Sequence, residues 1–174
     1  AIENTKTNGN AWFVASVKKA KNANEEMKLL GTLDTKTAAI SSDKEAGALA
    51  VSYKMDANSR VNLSRYATNE LNYTSKNSSD GVIVFSEIYY PDGWNCYIDG
   101  KKTAYFRVNY LLRGVKVAAG NHKIDWKFEP NSYLTGSTYS LLGSIILLLA
   151  FFGVGGMELK KSMKEEETNL IAPL

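Results

Sequence analysis

The chain has little of the chemistry from which most enzyme active sites are built. Its 174 residues contain one cysteine, Cys96, and one histidine, His122. A single cysteine excludes an internal disulfide framework and a cysteine-based zinc site. A single histidine argues against histidine-centred metal or triad chemistry. We therefore expect no metal site, no cofactor and no catalytic residue in this chain.

A concentrated positive charge is also missing. The 21 Lys and Arg residues stand against 18 Asp and Glu residues, which gives a net charge of +3 without a basic block. A nucleic-acid-binding surface normally shows such a block or stripe. We expect no nucleic acid among the partners.

The beginning of the chain has no targeting pattern. It starts at Ala1 with a polar stretch rich in Asn and Thr, and it has neither a basic n-region nor an apolar h-region. Two explanations stay open on the residues alone. Either a signal peptide has been removed, or the chain is the C-terminal piece of a longer multi-pass protein.

One long run without charge differs from everything before it. Residues 137–157, twenty-one in all, centre on the sequence LLGSIILLLAFF. As a helix, the run would reach about 31 Å at ~1.5 Å per residue, which is enough to cross a bilayer core. We predict a membrane-spanning helix at 137–157. The alternative is a buried helix of a soluble protein, but such helices rarely run this long without a charge.

The residues after this run indicate its orientation. Lys160, Lys161 and Lys164 follow it closely, and basic residues near the end of a span favour the cytoplasmic side. We therefore predict that residues 158–174 form a cytoplasmic tail and that the preceding domain is extracytoplasmic. The lipid bilayer is then the first predicted partner.

The residues before the span show the pattern of short strands. The strongest candidate, 82–90, is apolar on both faces at its start, which predicts a central place in a sheet. From residue 48 onward the candidate strands are 49–53, 60–67, 70–75, 82–90, 94–98, 103–108, 110–117 and 122–129. Short strands with turn signals every eight to twelve residues predict a mainly β fold. The expected architecture is an antiparallel β-sandwich of jelly-roll or immunoglobulin-like topology.

The first part of the chain adds a helix signal. Asn22 can cap a helix, Glu25 follows three residues later, and Gly31 can end it. Candidate strands at 10–18 and 37–40 flank this short helix. We therefore divide the chain into an N-terminal segment (1–47), a sandwich body (48–130), the membrane helix and the tail.

One turn combines aromatic and polar side chains. Tyr89 and Tyr90 precede a Pro-Asp-Gly turn that contains Asp92, and Trp94 follows it. Aromatic faces beside a carboxylate suit stacking on a sugar ring, so these four residues are our candidate carbohydrate-binding site. The alternative is that the aromatic side chains pack over the edge of the sandwich.

Two arginines that lie in predicted strands can also be interpreted in two ways. Arg107 and Arg113 are suited to bind phosphate or sugar hydroxyl groups. The alternative is that they are solvated or pair with Glu87 or Asp125.

Several stretches together resemble a known family. They are FSEIYYPDGW at 85–94, YIDGK at 97–101, RVNYLLRGV at 107–115, AGNH at 119–122 and FEP at 128–130. These resemble the C-terminal end of the YfhO family of bacterial multi-pass membrane proteins, especially its Bacteroidetes-type members. The resemblance covers nearly the whole chain and is most specific between residues 85 and 130.

The resemblance implies a function for the parent protein. Members of the family resemble C-type glycosyltransferases, which use a lipid-phosphate-linked sugar and act on the outer face of the cytoplasmic membrane. Their acidic catalytic residue lies in an early extracytoplasmic loop, to which no part of this chain corresponds. We expect a non-catalytic accessory domain whose partners are further membrane helices and cell-envelope glycan. The alternatives are a stand-alone membrane-anchored carbohydrate- or protein-binding module and a structural domain without a ligand.

Overall fold

The computed structural model describes residues 7–42, 44, 46 and 52–171. The chain divides after Glu129 into two compact units, a β domain and a long helix. Within the described residues, the first unit consists of eleven strands and one short helix. In chain order these are β1 (Ala11–Val14), β2 (Ser16–Lys19), α1 (Ala23–Leu30), β3 (Ala38–Ser41), β4 (Arg60–Ala67), β5 (Glu70–Asn77), β6 (Gly81–Ile88), β7 (Trp94–Ile98), β8 (Lys101–Thr103), β9 (Phe106–Val108), β10 (Leu112–Val117) and β11 (Gly120–Phe128).

The strands form two antiparallel sheets and one parallel pair. The sheet orders are β1-β6-β10-β9 and β4-β5-β11-β7-β8, and β2 pairs with β3. The two larger sheets share a core, in which Ile83 and Phe85 of the first meet Tyr73 and Trp126 of the second. The predicted mainly β, antiparallel fold with a short N-terminal helix is therefore confirmed.

Strand β6 is buried on both faces, as its sequence predicts. It lies between β1 and β10, and its residues from Val82 to Phe85 have no exposed surface. Val82 and Val84 pack in a second core cluster with Val17 of β2 and Ala39 of β3. The parallel β2–β3 pair thus covers the outer side of the four-stranded sheet.

Helix α1 begins and ends where the sequence predicts. The Asn22 side chain accepts a hydrogen bond from the Glu25 backbone N–H (3.0 Å), and the Glu25 carboxylate accepts one from Lys21 N–H (2.6 Å). Gly31 provides the C-cap. Because the helix connects β2 to β3, the two strands can run parallel.

Four strand predictions differ from the structure or lie partly outside it. The predicted strand 103–108 is divided between two sheets, because Thr103 ends β8, which pairs with β7, and Phe106–Val108 form β9, which pairs with β10. Strand β10 begins at Leu112 rather than 110, because Asn109 and Tyr110 adopt left-handed conformations (φ 49° and 70°) that end a strand. The predicted strand 10–18 is two strands, β1 and β2. The predicted strand at 49–53 lies mostly outside the described residues, and within it Ser52 forms an isolated bridge with Ser16.

The second unit is a single helix, α2 (Asn131–Ile171). It begins just after Pro130 and continues beyond the predicted span, because the charged residues that follow the apolar run do not interrupt a helix. Its part Asn131–Lys164 is the one helix among the described residues that is long and apolar enough to cross a membrane. Side chains such as Leu147 and Phe151 are more than 70% exposed, as expected for a surface that contacts lipid or other helices.

Candidate functional site

The predicted aromatic turn connects β6 to β7 and is fixed by backbone contacts. The Tyr89 backbone N–H donates to the Leu111 carbonyl (2.6 Å). The hydroxyl of Tyr105 lies within hydrogen-bond distance of the carbonyls of Trp94 (2.9 Å) and Tyr90 (3.2 Å). Tyr105 therefore fixes both ends of the turn, and its burial raises the pKa of its phenol to about 12.

The four predicted site residues occupy different places around this turn. The rings of Tyr89 and Tyr105 meet at an angle of 61°, with 5.4 Å between their centroids. The Tyr90 side chain is half exposed, and Asp92 is exposed. The Trp94 ring packs against Phe128 at 5.4 Å. The turn thus exposes Tyr90 and Asp92 to solvent, whereas Tyr89 and Trp94 are half buried.

A groove of about 380 Å³ lies beside the turn. Tyr89, Pro91 and Tyr105 line one part of it, and Asn95, Cys96, Lys102, Thr103 and Ala104 complete the lining. Of the four predicted residues, Tyr89 is the one that lines this groove. Tyr105 and Lys102 were not predicted. The signal that could have indicated them is the Asp99-Gly100 hairpin, which pairs residues 101–103 with β7 and leaves Tyr105 two residues further on.

The groove combines aromatic rings with groups that form hydrogen bonds. Asn95 offers an amide, Thr103 a hydroxyl and Lys102 an ammonium group. The Asn95 amide also donates to the carboxylate of Glu129 (2.9 Å), which accepts a second bond from the Tyr97 hydroxyl (2.8 Å). The hydrogen bond from Tyr97 lowers the pKa of Glu129, so this carboxylate is ionised at neutral pH and orients the amide.

A buried arginine stands behind the turn. Arg113 is 2% exposed, and its Nε donates to the Ile88 carbonyl (2.8 Å). Its guanidinium lies over the rings of Trp94 (4.5 Å) and Trp126 (4.9 Å). The interpretation of Arg113 as a solvated strand residue is therefore wrong, because the alternation of β10 points this side chain between the two sheets.

The acid that faces Arg113 is Glu87. Partial burial raises the pKa of Glu87, and the positive charge of Arg113 opposes that shift. Burial in turn lowers the pKa of Arg113. In the part of the chain that the structure describes, Arg113 Nη1, Tyr73 Oη and Trp126 Nε1 are buried without a hydrogen-bond partner. These atoms make the interior behind the turn polar as well as aromatic.

A second buried charge holds a different part of the fold. Glu26 of α1 is fully buried. Its carboxylate accepts hydrogen bonds from the Tyr110 backbone N–H (2.8 Å) and the Ser42 hydroxyl (2.6 Å), and Arg107 lies 3.6 Å away. Arg107 therefore pairs with Glu26, and not with Glu87 or Asp125 as predicted. This network fixes the left-handed turn at Asn109 and Tyr110, which is a structural role.

The described residues contain no group of side chains that could bind a metal ion. No three His, Cys, Asp or Glu side chains in residues 7–42, 44, 46 and 52–171 lie close enough together to hold a metal ion. Cys96 is buried, and burial raises the pKa of its thiol to about 12. Its thiol is therefore unreactive at neutral pH.

A comparison with protein families shows to which family the chain belongs. Residues 15–140 match the family described as bacterial membrane protein YfhO. The chain belongs to the YfhO family. The match runs from β2 through the β domain into the first turns of α2, so both units are part of the family pattern. Comparisons with curated proteins and with solved structures gave no match. The YfhO family and the candidate span of α2 together make this chain part of a membrane protein.

Proposed function

We propose that this YfhO chain supplies a non-catalytic extracytoplasmic domain and the last membrane helix of a longer C-type-like glycosyltransferase of the bacterial cytoplasmic membrane. In this proposal the β domain holds a cell-envelope glycan while other parts of the protein transfer the sugar. That the chain is a Bacteroidetes-type member of the family stays a prediction. The lysines that follow the apolar part of α2 favour a cytoplasmic position for that end of the helix. They therefore support an extracytoplasmic position for the β domain, which lies before the helix.

The groove beside the turn carries the proposal. Tyr89 and Tyr105 give it aromatic faces, and Asn95, Lys102 and Thr103 give it polar groups. Small-molecule sites in proteins commonly combine aromatic walls with a few polar groups of this kind. The exposed residues Tyr90 and Asp92 extend the proposed binding surface beside the groove. Trp94 holds the turn in place through its contact with Phe128.

Glycan binding can be measured on the whole chain in phosphatidylcholine nanodiscs with solubilised cell-envelope glycan fragments as the probe. Loss of one stacking ring costs about 1 kcal/mol beyond the area it buries, so Tyr89→Ala should weaken binding roughly fivefold. Tyr66→Ala is the matched control, because Tyr66 is 67% exposed and lies outside the groove. Equal affinities for the wild-type chain and Tyr89→Ala would refute the groove as the site.

A stand-alone membrane-anchored binding module is the second candidate, because the groove and a candidate membrane helix occur in the same chain. The coding sequence upstream of Ala1 distinguishes the two. Many apolar spans in frame would support the glycosyltransferase proposal, and a signal peptide directly before Ala1 would support the module. In either case the chain alone should transfer no sugar, and transfer by the purified chain would contradict both.

A further inference from the structure

A second cleft lies on the outer face of the five-stranded sheet, and no step of the proposed function uses it. Its volume is about 550 Å³. Strand register brings its polar side chains into two rows: Arg60, Lys76 and Asn121 are neighbours across β4, β5 and β11, and so are Asn62, Thr74 and Lys123. Asp99, Ser75 and His122 complete the lining.

Two positive charges in this cleft have no ion-pair partner in the part of the chain that the structure describes. Arg60 and Lys76 are directly opposite each other on adjacent strands, an arrangement in which like charges destabilise a sheet. Neither has an ion-pair partner within 4 Å among the described residues.

The other charges around the cleft are already paired. Lys123 Nζ lies 3.3 Å from the Asp125 carboxylate. One oxygen of the Asp99 carboxylate lies 2.7 Å from the imidazole of His122, and the other accepts the Lys123 backbone N–H at 2.9 Å. These two acids therefore have other partners, and neither forms an ion pair with Arg60 or Lys76.

We propose that this cleft binds the phosphate group of a phosphate ester. Such a group carries about two negative charges at neutral pH as a monoester and one as a diester, and in either form it is attracted by the two cations. A guanidinium can bind two phosphate oxygens at once, and an ammonium group binds phosphate as a point charge. The amides of Asn62 and Asn121 and the hydroxyl of Thr74 provide further hydrogen bonds for the rest of the ligand.

Inorganic pyrophosphate is a suitable probe, added to the whole chain in phosphatidylcholine nanodiscs. The three tryptophans, Trp12, Trp94 and Trp126, all precede α2, so their fluorescence reports the thermal unfolding of the β domain, and isothermal titration calorimetry measures the affinity. Loss of one cation should weaken binding about three- to tenfold in Arg60→Gln and in Lys76→Gln. Lys101→Gln is the control for charge, because Lys101 lies on β8 of the same sheet and outside the cleft.

The stability of the ligand-free variants separates binding from folding. Lys76→Gln removes a like-charge contact, so its midpoint of thermal unfolding without pyrophosphate should equal or exceed that of the wild-type chain. Added pyrophosphate should then raise the midpoint of the wild-type chain more than that of either cleft variant. Equal pyrophosphate affinities in wild type, Arg60→Gln and Lys76→Gln would overturn the proposal.

A phosphate group can come from a soluble ester or from a lipid headgroup. Repeating the titration in nanodiscs that contain phosphatidylglycerol distinguishes these sources. If phosphatidylglycerol weakens pyrophosphate binding to the wild-type chain but not to Lys76→Gln, the cleft binds a lipid headgroup. Unchanged binding assigns it to a soluble phosphate ester. This test involves no residue of the groove, so its result is independent of the glycan proposal.

Discussion

The indole of Trp94 covers the guanidinium of Arg113, with 4.5 Å between Arg113 Cζ and the ring centroid. The same guanidinium also lies over the ring of Trp126, 4.9 Å from its centroid. Within the described residues no carboxylate comes within 4 Å of this buried charge. Aromatic faces can hold a guanidinium in this way because it is flat and weakly hydrated, whereas an ammonium group is compact and strongly hydrated.

This arrangement predicts an unusual order of stabilities at position 113. Arg113→Lys should lower the free energy of unfolding by more than about 2 kcal/mol, because it buries an ammonium that neither stacks nor reaches the Ile88 carbonyl in the same way. Arg113→Met should cost less, because it removes the buried charge and keeps most of the volume. Urea unfolding of the chain in detergent, followed by tryptophan fluorescence, measures both. A Met variant less stable than the Lys variant would show that the charge itself stabilises the domain.

A second prediction concerns the close packing of the turn. A Cβ atom at position 93 would lie 2.2 Å from Phe128 Cε2, and the Phe128 ring is itself held against Trp94. Gly93→Ala should therefore destabilise the β domain by about 1–3 kcal/mol, as overpacking of a filled site does. At Gly31 the nearest atom would be 3.6 Å away, an ordinary contact. Gly31→Ala is thus the control, and an equal loss in both variants would contradict this explanation.

The sequence predicted those parts of the fold that depend on local patterns. Alternation placed Ile124 and Trp126 in the core, and a continuous apolar run placed β6 in the middle of a sheet. The cap at Asn22 and the Asp99-Gly100 hairpin were also found, because each is a short-range signal that a few residues specify. The same holds for the apolar part of α2.

Contacts between distant residues were not predictable. Glu26 has the sequence context of an ordinary first-turn carboxylate, yet it binds Tyr110, 84 positions away. Arg113 resembles a surface strand residue until the facing sheet supplies Trp94 and Trp126. Periodicity gives the face of a residue but not its partner across the sandwich.

The burial of Trp126 gives a direct test of the core. Its side chain has no exposed surface and meets Phe85 at 5.2 Å and Tyr105 at 4.9 Å. We predict that Trp126→Ala costs about 3–5 kcal/mol of unfolding free energy. Trp126→Phe should cost clearly less, because the indole N–H has no hydrogen-bond partner in the described structure. A loss below about 1 kcal/mol for the Ala variant would disagree with the observed packing.

The proposed orientation can be tested in intact cells. Lys101 is exposed on β8, and Lys161 follows the apolar part of α2. A cysteine at position 101 should react with an impermeant thiol reagent, and one at 161 should react only after the membrane is permeabilised. The native Cys96 is buried and gives the background. Preferential labelling at 161 in intact cells would reverse the assigned sides.

The His122–Asp99 pair makes the stability of the β domain depend on pH. The hydrogen bond between them, 2.7 Å long, raises the pKa of His122 above 6.5 and lowers that of Asp99 below 3.8. The contribution of His122 to the stability of the β domain is complete below pH 6.5 and is lost as the pH rises through the raised pKa. The contribution of Asp99 is complete above pH 3.8 and is lost as the pH falls through the lowered pKa.

Asp99→Asn removes the charge but keeps a residue that tolerates the left-handed backbone at φ 50°. Because the Asp99 side chain is 53% exposed, we expect the variant to lose only about 0.5–1 kcal/mol at pH 5.5 and less at pH 8.5. Thermal unfolding at both pH values, with Asp92→Asn as a control on an exposed acid, measures the difference. A loss of stability that is equal at the two pH values would mean that the pair contributes through its hydrogen bond and not through its charge.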